Sequence, residues 1–341
     1  MKRNTKLIIL GAVGLTLAFY VQKLLQDAGA FRQITPVAYG QCQKVGNLLG
    51  PEDFALLQNG KVIISAEPRD GGEGDLHVYD PVQRVVTKLK PEPELEFDFR
   101  PHGIDVFETA ERTLVYAVNH RTDFETTVEV FEYRGDKLLF LKTLIDPFFQ
   151  SGNDIAVLSE DRFYLTSDFG TPRKPVQKVT QYLRHATGYV SFFDGKKADL
   201  VIPSVFYANG LTLNTAKTTL FVAGMLEKTV RVYDISSGKP QYVKTLHVDG
   251  GPDNIRWAHE KLFVAAHPKL LTLKQESEDR AIKAPSQIIE YSDLNAKESK
   301  SIILYANQGD EISSASIAMP LEENRLLIGS VFDNQILDCK K

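Results

Sequence analysis

The chain is poor in cysteine and tryptophan, and it lacks the short motifs of common hydrolases. Its 341 residues include two Cys and one Trp. It has no Gly-x-Ser-x-Gly elbow, no His-Glu-x-x-His helix and no phosphate-cradling glycine loop. The sequence therefore contains none of these motifs for serine hydrolases, zinc proteases or phosphate binding. It also has no Asn-x-Ser/Thr sequon, so glycosylation gives no support for an extracellular location.

Long runs of one charge are missing as well. The net charge is −4, and no extended basic segment suggests a nucleic-acid surface. With 43% hydrophobic and 25% charged residues, the composition supports a large folded core and excludes global disorder. A single all-β domain can reach this length.

The N-terminus carries a hydrophobic run behind a basic flank. Lys2, Arg3 and Lys6 precede an uncharged stretch of 15 residues from Leu7 to Val21. This pattern is typical of a secretory signal, and it is short for a spanning helix of about 20 residues. We predict that residues 1–30 form a signal peptide or an uncleaved signal anchor. Residues 31–341 would then form one domain on the lumenal or outer side, secreted or membrane-anchored.

The two cysteines, Cys42 and Cys339, bracket the whole globular region. In an oxidising compartment, a bridge between them would close almost the entire chain into a loop. A circular fold needs such a connection between its last and first units. Two unrelated thiols remain the alternative.

After about residue 50, short apolar strands alternate with turns. They are rich in Val, Ile, Phe, Tyr and Leu, and many show the alternation of a half-buried strand. Examples are 61–66, 113–118, 127–133, 162–166, 218–224, 229–235, 261–266, 287–291 and 325–331. Only Val176–Thr187 shows helical spacing, which indicates a lid or surface helix.

Six segments share one sequence pattern, in which a pair of small or polar residues is followed by an apolar residue, a turn and an apolar strand. The apolar positions are separated by 50, 51, 56, 44 and 62 residues, enough for about four short strands each. This spacing predicts an all-β, six-bladed β-propeller. The apolar positions are Phe54, Ile104, Ile155, Leu211, Ile255 and Ile317.

Equivalent positions in successive blades lie on a ring around the central channel, so the polar pairs are expected to meet at one mouth. Carboxylates and amides without cysteine match the oxygen ligands of calcium rather than those of zinc. Four carboxylates in one cavity would repel each other without a cation. Each pair alone is more often a turn former than a set of ligands, and only its recurrence across the repeats favours a metal site. The predicted ligands are Glu52, Asp53, Asn153, Asp154, Asn209, Asp253 and Asn254.

Two histidines are expected near this ring. His102 opens the second repeat, and His120 ends the strand that follows. Because imidazole titrates near physiological pH, such a pair could activate water. Structural histidines with satisfied hydrogen bonds are the alternative.

The order and spacing of several segments resemble the serum paraoxonase/arylesterase family. The resemblance runs from about Cys42 to Cys339. The segments are Gly-Pro-Glu-Asp at 50–53, Pro-His-Gly-Ile at 101–104, Val-Asn-His at 118–120, Asn-Asp-Ile at 153–155, Ala-Asn-Gly at 208–210, Asp-Asn-Ile at 253–255, Ala-His-Pro at 266–268 and Leu-Leu-Ile-Gly-Ser-Val-Phe at 326–332.

The resemblance implies a propeller that holds two calcium ions in its channel. The implied ligands of the upper, catalytic ion are Glu52, Asn153, Asn209, Asp253 and Asn254. Those of the deeper, structural ion are Asp53, Asp154 and the carbonyl of Ile104. The resemblance further implies a His102–His120 dyad, active-site positions at Asp168 and His267, a Cys42–Cys339 disulfide and a retained N-terminal signal.

The implied activity is the hydrolysis of lactones and aryl esters, with the upper calcium polarising the carbonyl and a histidine assisting the attacking water. The chain departs from the family at the substrate wall. Phe169 stands where mammalian members have histidine, Tyr207 replaces a pocket phenylalanine, and the Glu67–Asp75 loop lacks an aromatic lid residue. A non-catalytic calcium-bound propeller acting as a chaperone or accessory subunit is the alternative. A sugar lactonase of related fold is a third reading.

Overall fold

A computed structural model describes residues 3–121, 126–170, 183–322 and 324–341. Most of the predicted helical segment 176–187 lies outside these residues. The described helices are α1 (Arg3–Asp27), a 3-10 turn (Pro147–Phe149) and α2 (Leu270–Glu278).

The described strands form six sheets, five of which are built around four consecutive antiparallel strands. Blade 1 contains β2 (Pro51–Leu56), β3 (Val62–Ala66), β4 (Asp75–Asp80) and β5 (Val85–Lys88). Blade 2 contains β7 (Pro101–Glu108), β8 (Thr113–His120), β9 (Thr126–Tyr133) and β10 (Lys137–Leu144), with the short β6 (Lys90–Glu92) parallel to β10 at the edge. Blade 3 contains β11 (Gly152–Ser159), β12 (Arg162–Ser167), β13 (Gly188–Phe193) and β14 (Ala198–Val205).

The remaining three sheets complete the set. Blade 4 contains β15 (Ala208–Leu213), β16 (Thr219–Gly224), β17 (Thr229–Asp234) and β18 (Gln241–His247). Blade 5 contains β19 (Gly251–Ala258), β20 (Lys261–His267), β21 (Ser286–Ser292) and β22 (Lys300–Asn307). Blade 6 contains β23 (Ala315–Glu322), β24 (Arg325–Ser330) and β25 (Ile336–Lys340), and β1 (Gln41–Val45) supplies its fourth strand.

The first strand of each blade, here called the inner strand, faces the axis. Each inner strand packs on the inner strand of the next blade, and β23 returns to β2. All six repeat segments predicted from the sequence lie in these inner strands. The prediction of a six-bladed propeller is confirmed.

The first and last parts of the propeller meet in blade 6. Strand β1 pairs with β25 in a register that places Cys42 opposite Cys339, and the two form a disulfide. The predicted pairing is therefore confirmed. This arrangement closes the ring with one N-terminal and three C-terminal strands, so the blade cannot form until both ends of the chain are present.

Apolar side chains fill the spaces between neighbouring blades, and the inner strands approach each other closely. A Cβ atom on Gly103 would lie 2.4 Å from the Cα of Asp154, and one on Gly210 would lie 2.6 Å from the Cα of Asn254. Glycine is needed at both positions because contacts this short leave no room for a side chain. The close approach brings the polar pair of each blade next to that of another.

The N-terminal helix α1 contacts the propeller at its C-terminal end, where Asp27 pairs with Arg184. Its segment Ile9–Asp27 is long and apolar enough to cross a membrane by length and composition, and none of it is buried. Just beyond the end of α1, the carbonyl of Ala28 is 3.5 Å from the amide of Leu271 at the start of α2. This end of the helix therefore lies beside the loop that follows β20.

Candidate functional site

The predicted polar pairs occupy the start of the inner strands and are buried around the channel. Glu52, Asn153, Asn209, Asp253 and Asn254 are each at most 5% exposed. The side-chain amide of Asn254 in blade 5 donates to the backbone carbonyl of Glu52 in blade 1 at 3.1 Å. Blade 6 lies between these two blades in the ring, so this bond links the inner strands of blades 5 and 1 past that of blade 6. The start of the inner strands, where these five predicted ligands are buried, is here called the upper level.

Two amide oxygens at this level are left without a hydrogen bond. Within the described part of the chain, Asn209 Oδ1 and Asn254 Oδ1 are buried and have no hydrogen-bond partner. The amide nitrogens are used instead, Asn254 Nδ2 as described and Asn209 Nδ2 toward the sulfur of Met225 at 3.6 Å. Buried oxygens without donors are costly unless a cation takes them. These atoms, with the nearby carboxylates, fit a calcium ion at the upper level.

Asp253 is held by a histidine from the neighbouring strand. His267 Nε2 lies 2.7 Å from Asp253 Oδ2, and both side chains are buried. His267 ends β20 and pairs with Gly251 of β19, and the ladder is irregular between Pro252 and Ile255, where Asp253 lies. The second ring nitrogen of His267 is buried without a partner among the described residues. His267 therefore orients the carboxylate that faces the upper level.

The deeper level is arranged differently from the expectation. Asp53, Asp154 and the carbonyl of Ile104 were expected to hold a second calcium ion, but the guanidinium of Arg256 contacts all three. Its Nη2 lies 2.5 Å from each oxygen of Asp53 and 3.3 Å from the Ile104 carbonyl. Its Nη1 lies 3.5 Å from Asp154 Oδ2. The deeper residues therefore do not fit a calcium ion in the presence of Arg256.

Electrostatics at the deeper level keep the guanidinium charged. Burial acts to lower the pKa of Arg256, but the carboxylates of Asp53, Asp154 and Asp105 outweigh it and raise the pKa overall. Burial raises the pKa of Asp154 to about 6, against the opposing effect of Arg256. A buried carboxylate next to another carboxylate is hard to ionise without a cation. Arg256 supplies that cation.

The two predicted histidines lie face to face beside the upper level. The ring centroids of His102 and His120 are 4.5 Å apart. His102 Nδ1 lies 2.7 Å from Glu52 Oε2, and His120 Nε2 lies 2.5 Å from the carbonyl of Gly152. Since a carbonyl only accepts, the proton of His120 is on Nε2. The structure therefore places His102 next to a predicted ligand, Glu52, and His120 next to the inner strand of blade 3.

Two further residues join this group from the loop after β3. Atoms of Glu67, His102 and His120 all lie within 4.8 Å of one another, a set that could hold a metal ion. The guanidinium of Arg69 contacts Glu52, lies 2.8 Å from Glu67 Oε2, and lies 3.0 Å from His102 Nδ1. The channel mouth therefore contains a fixed positive charge beside the histidines.

The residues predicted to form the substrate pocket follow β12 or precede β15. Asp168 is buried and accepts a hydrogen bond from Ser151 Oγ. The rings of Phe169 and Tyr207 meet edge to face with centroids 5.1 Å apart. The two positions at which the sequence departs from the family pattern are therefore in contact with each other.

Sequence reasoning missed Arg256, Glu67 and Arg69. A signal for Arg256 was present, because the residue after the apolar position of each repeat is Ala55, Asp105, Ala156, Thr212, Arg256 or Ala318. The two charged members of that set are of opposite sign, which indicates a buried pair across the channel. Glu67 and Arg69 carried no such signal, since their loop lies outside the repeat.

The fold and the site define a class: a six-bladed propeller whose inner strands carry a buried ring of carboxylate and amide side chains around the channel. The chain belongs to the arylesterase family, whose model matches residues 50–340. It is 28% identical to mouse serum paraoxonase/arylesterase 1 over 96% of this chain and 97% of that protein. It is 26% identical to human serum paraoxonase/lactonase 3 over the whole of both chains.

Solved propellers share the fold at much lower identity. A luciferin-regenerating enzyme superposes with a TM-score of 0.56 at 14% identity, covering 90% of this chain and 96% of its own. A gluconolactonase from Xanthomonas campestris superposes with a TM-score of 0.56 at 13% identity, covering 90% and 94%. These likenesses support the architecture alone.

Proposed function

We propose that this protein is a calcium-dependent hydrolase of lactones and aryl esters, acting at the channel mouth. The observation that carries the proposal is the pair of buried amide oxygens on Asn209 and Asn254, left without donors in the described part of the chain, at a level that also holds the buried carboxylates of Glu52 and Asp253. Family membership supports the reaction class, since relatives are named arylesterases and lactonases.

The upper residues would hold one calcium ion, namely Glu52, Asn153, Asn209, Asp253 and Asn254. When bound, that ion would polarise the ester carbonyl and stabilise the charge that develops on its oxygen. His267 keeps Asp253 oriented through the 2.7 Å contact.

The histidine pair supplies the proton chemistry in this proposal. The contact between His102 Nδ1 and Glu52 fixes the ring and directs Nε2 away from the carboxylate. His102 would accept a proton from the attacking water, while His120 stays anchored through its bond to the Gly152 carbonyl. The wall of Asp168, Phe169 and Tyr207 would enclose the substrate and select its size.

We also propose that α1 holds the protein at a membrane or lipid surface on the lumenal or outer side. The apolar helix and the disulfide fit a protein of the secretory pathway. The end of α1 lies beside the loop that follows His267, so the anchor is attached on the mouth side. Substrates that partition into lipid would then reach the channel mouth directly.

A panel of lactones and aryl esters, assayed with the purified protein and its Asp253→Ala variant, tests the proposal. The variant should fold normally and lose at least about 10²-fold in kcat/KM, because a carboxylate of the upper level is removed. The exposed Asp199→Ala variant serves as the matched control and should retain full activity. Full activity of folded Asp253→Ala would show that the upper level is not the reaction centre. No turnover by the calcium-loaded wild type would favour the chaperone or accessory-subunit alternative.

A further inference from the structure

The centre of the propeller contains a complete binding site for one guanidinium group. Arg256 lies on β19, two residues after Asn254, so strand alternation points both side chains toward the channel. Its Nε donates to the Phe54 carbonyl at 2.9 Å, and Nη1 donates to the Ile255 carbonyl at 2.9 Å. Together with Asp53, Asp154 and the Ile104 carbonyl, every nitrogen of the group has an acceptor.

These acceptors come from different parts of the ring. Asp53 and Phe54 belong to blade 1, Ile104 to blade 2 and Asp154 to blade 3, while Arg256 belongs to blade 5. One side chain therefore ties four blades together across the axis. Calcium in a channel would do the same by drawing oxygens from several strands toward one point.

The carboxylates of Asp53 and Asp154 also accept hydrogen bonds from backbone amides. Ile104 N donates to Asp53 Oδ2 at 2.8 Å, Ile155 N donates to Asp154 Oδ1 at 2.8 Å, and Leu211 N donates to Asp154 Oδ2 at 2.9 Å. With these bonds and the guanidinium in place, each carboxylate oxygen at the deeper level already accepts at least one hydrogen bond. A dication would have to share the same acceptors with a like charge at close range, which is unfavourable.

We propose that Arg256 replaces the deeper calcium ion as a built-in cation, so that this chain binds a single calcium ion, at the upper level. The guanidinium then maintains the convergence of blades 1, 2, 3 and 5 whether or not calcium is present. The inference concerns the structure of the channel and stands apart from the proposed activity. It revises the expectation of two ions to one.

Calcium per chain, measured by elemental analysis of protein dialysed against low-micromolar calcium, tests the proposal. Wild type should contain about one ion, and the double variant Asp253→Ala/Asn254→Ala should lose it. Arg256→Ala, which opens space and leaves Asp53 and Asp154 unpaired, should contain about two ions. Its thermal midpoint should also rise more with added calcium than that of wild type. Arg256→Lys, which keeps a positive charge, is the matched control and should stay at one.

The outcomes separate the two claims. Two ions in wild type, or one ion that survives in the Asp253→Ala/Asn254→Ala variant, would place calcium at the deeper level and overturn the proposal. A folded Arg256→Ala that gains neither an ion nor calcium-dependent stability would also overturn it. If Arg256→Ala does not fold, the proposal is judged by the number of calcium ions in wild type and by their loss in Asp253→Ala/Asn254→Ala. No ion in wild type would overturn the claim of a single upper ion and would also remove calcium from the proposed function.

Discussion

At the scale of single residues, Asp338 shows how one carboxylate joins the last blade to the first. Its buried side chain on β25 accepts from Arg325 Nε at 2.8 Å and from the hydroxyl of Tyr79 at 2.6 Å. Arg325 belongs to the same blade, whereas Tyr79 lies on β4 of blade 1. Burial acts to raise the pKa of Asp338, but the bonds from Arg325 and Tyr79 outweigh it and lower the pKa below 3.8.

A lowered pKa in the folded state gives a defined pH dependence. The carboxylate contributes stability above about pH 4, and that contribution is lost as the pH falls through the folded-state pKa. Asp338→Asn should lower the free energy of unfolding by about 3 kcal/mol at pH 7, since Arg325 loses its partner. The difference from wild type should shrink as the pH falls from 5 to 3. Urea titrations across this range measure it.

The exposed Asp199→Asn variant provides the control for this titration, and its stability should follow wild type throughout. An equal loss of stability in Asp338→Asn at pH 3 and pH 7 would contradict the assignment.

Residues of the site could be predicted from the sequence where they occupy equivalent positions in the six repeats. The polar pairs recur at blade spacing, so their convergence followed from the sequence. The role of Arg256 did not follow from the sequence, because an arginine in an alternating strand is more typical of a solvent-facing position. Its acceptors in other blades lie 102 to 203 residues away along the chain. Only the fold brings those acceptors together.

At the scale of elements, the inner strands determine how tightly the channel can close. Gly210 on β15 approaches the backbone of β19 so closely that a methyl group would lie 2.6 Å from both the Asn254 Cα and the Asp253 carbonyl. Backbone cannot yield as a flexible side chain can. The position of Asn254 at the upper level therefore depends on a glycine in the next strand.

Gly210→Ala should displace β19 from β15 and destabilise the protein by about 1–3 kcal/mol. It should also weaken calcium binding, because Asn254 moves with its strand. Thermal unfolding and calcium titration of the variant measure the two effects. Gly14→Ala, where no atom lies within 4 Å of the added methyl group, should change neither. Unchanged stability and calcium affinity in Gly210→Ala would show that β15 and β19 can accommodate a methyl group at this position.

The short strands within blades were readily predicted, as in 113–118 and 261–266, because local alternation and turn residues define them. The edge strand β6 and the pairing of β1 with β25 were not. Their partners are set by packing far along the chain rather than by a local pattern. The cysteines gave the only sequence signal that the two ends meet.

At the scale of the whole molecule, closure of the ring depends on β1 and the disulfide. The bridge joins residues separated by 297 positions, so it restricts almost the entire unfolded chain. In the chain-entropy model, long loops give the larger stabilisation, although measured values fall below it. The closed ring keeps β23 against β2 and so preserves the channel.

Replacing Cys42 and Cys339 together by serine should lower the free energy of unfolding by about 2–5 kcal/mol. The substitution acts mainly on the unfolded chain, so the activity of the folded variant should persist at low temperature. Chemical denaturation of both proteins in the absence of reductant measures the loss. A reductant added to wild type should reproduce the effect of the variant, and identical stability of the two proteins would argue that β1 alone closes the ring.

The central claim is that the oxygen-rich ring at the channel mouth is a calcium centre that hydrolyses esters. Its most direct test is the initial rate of hydrolysis across a lactone and aryl ester panel, before chelation, after chelation and after calcium is restored. The account predicts turnover of at least one substrate, loss of that activity on chelation and its recovery with calcium. Activity that persists in a fully chelated, folded protein would contradict it.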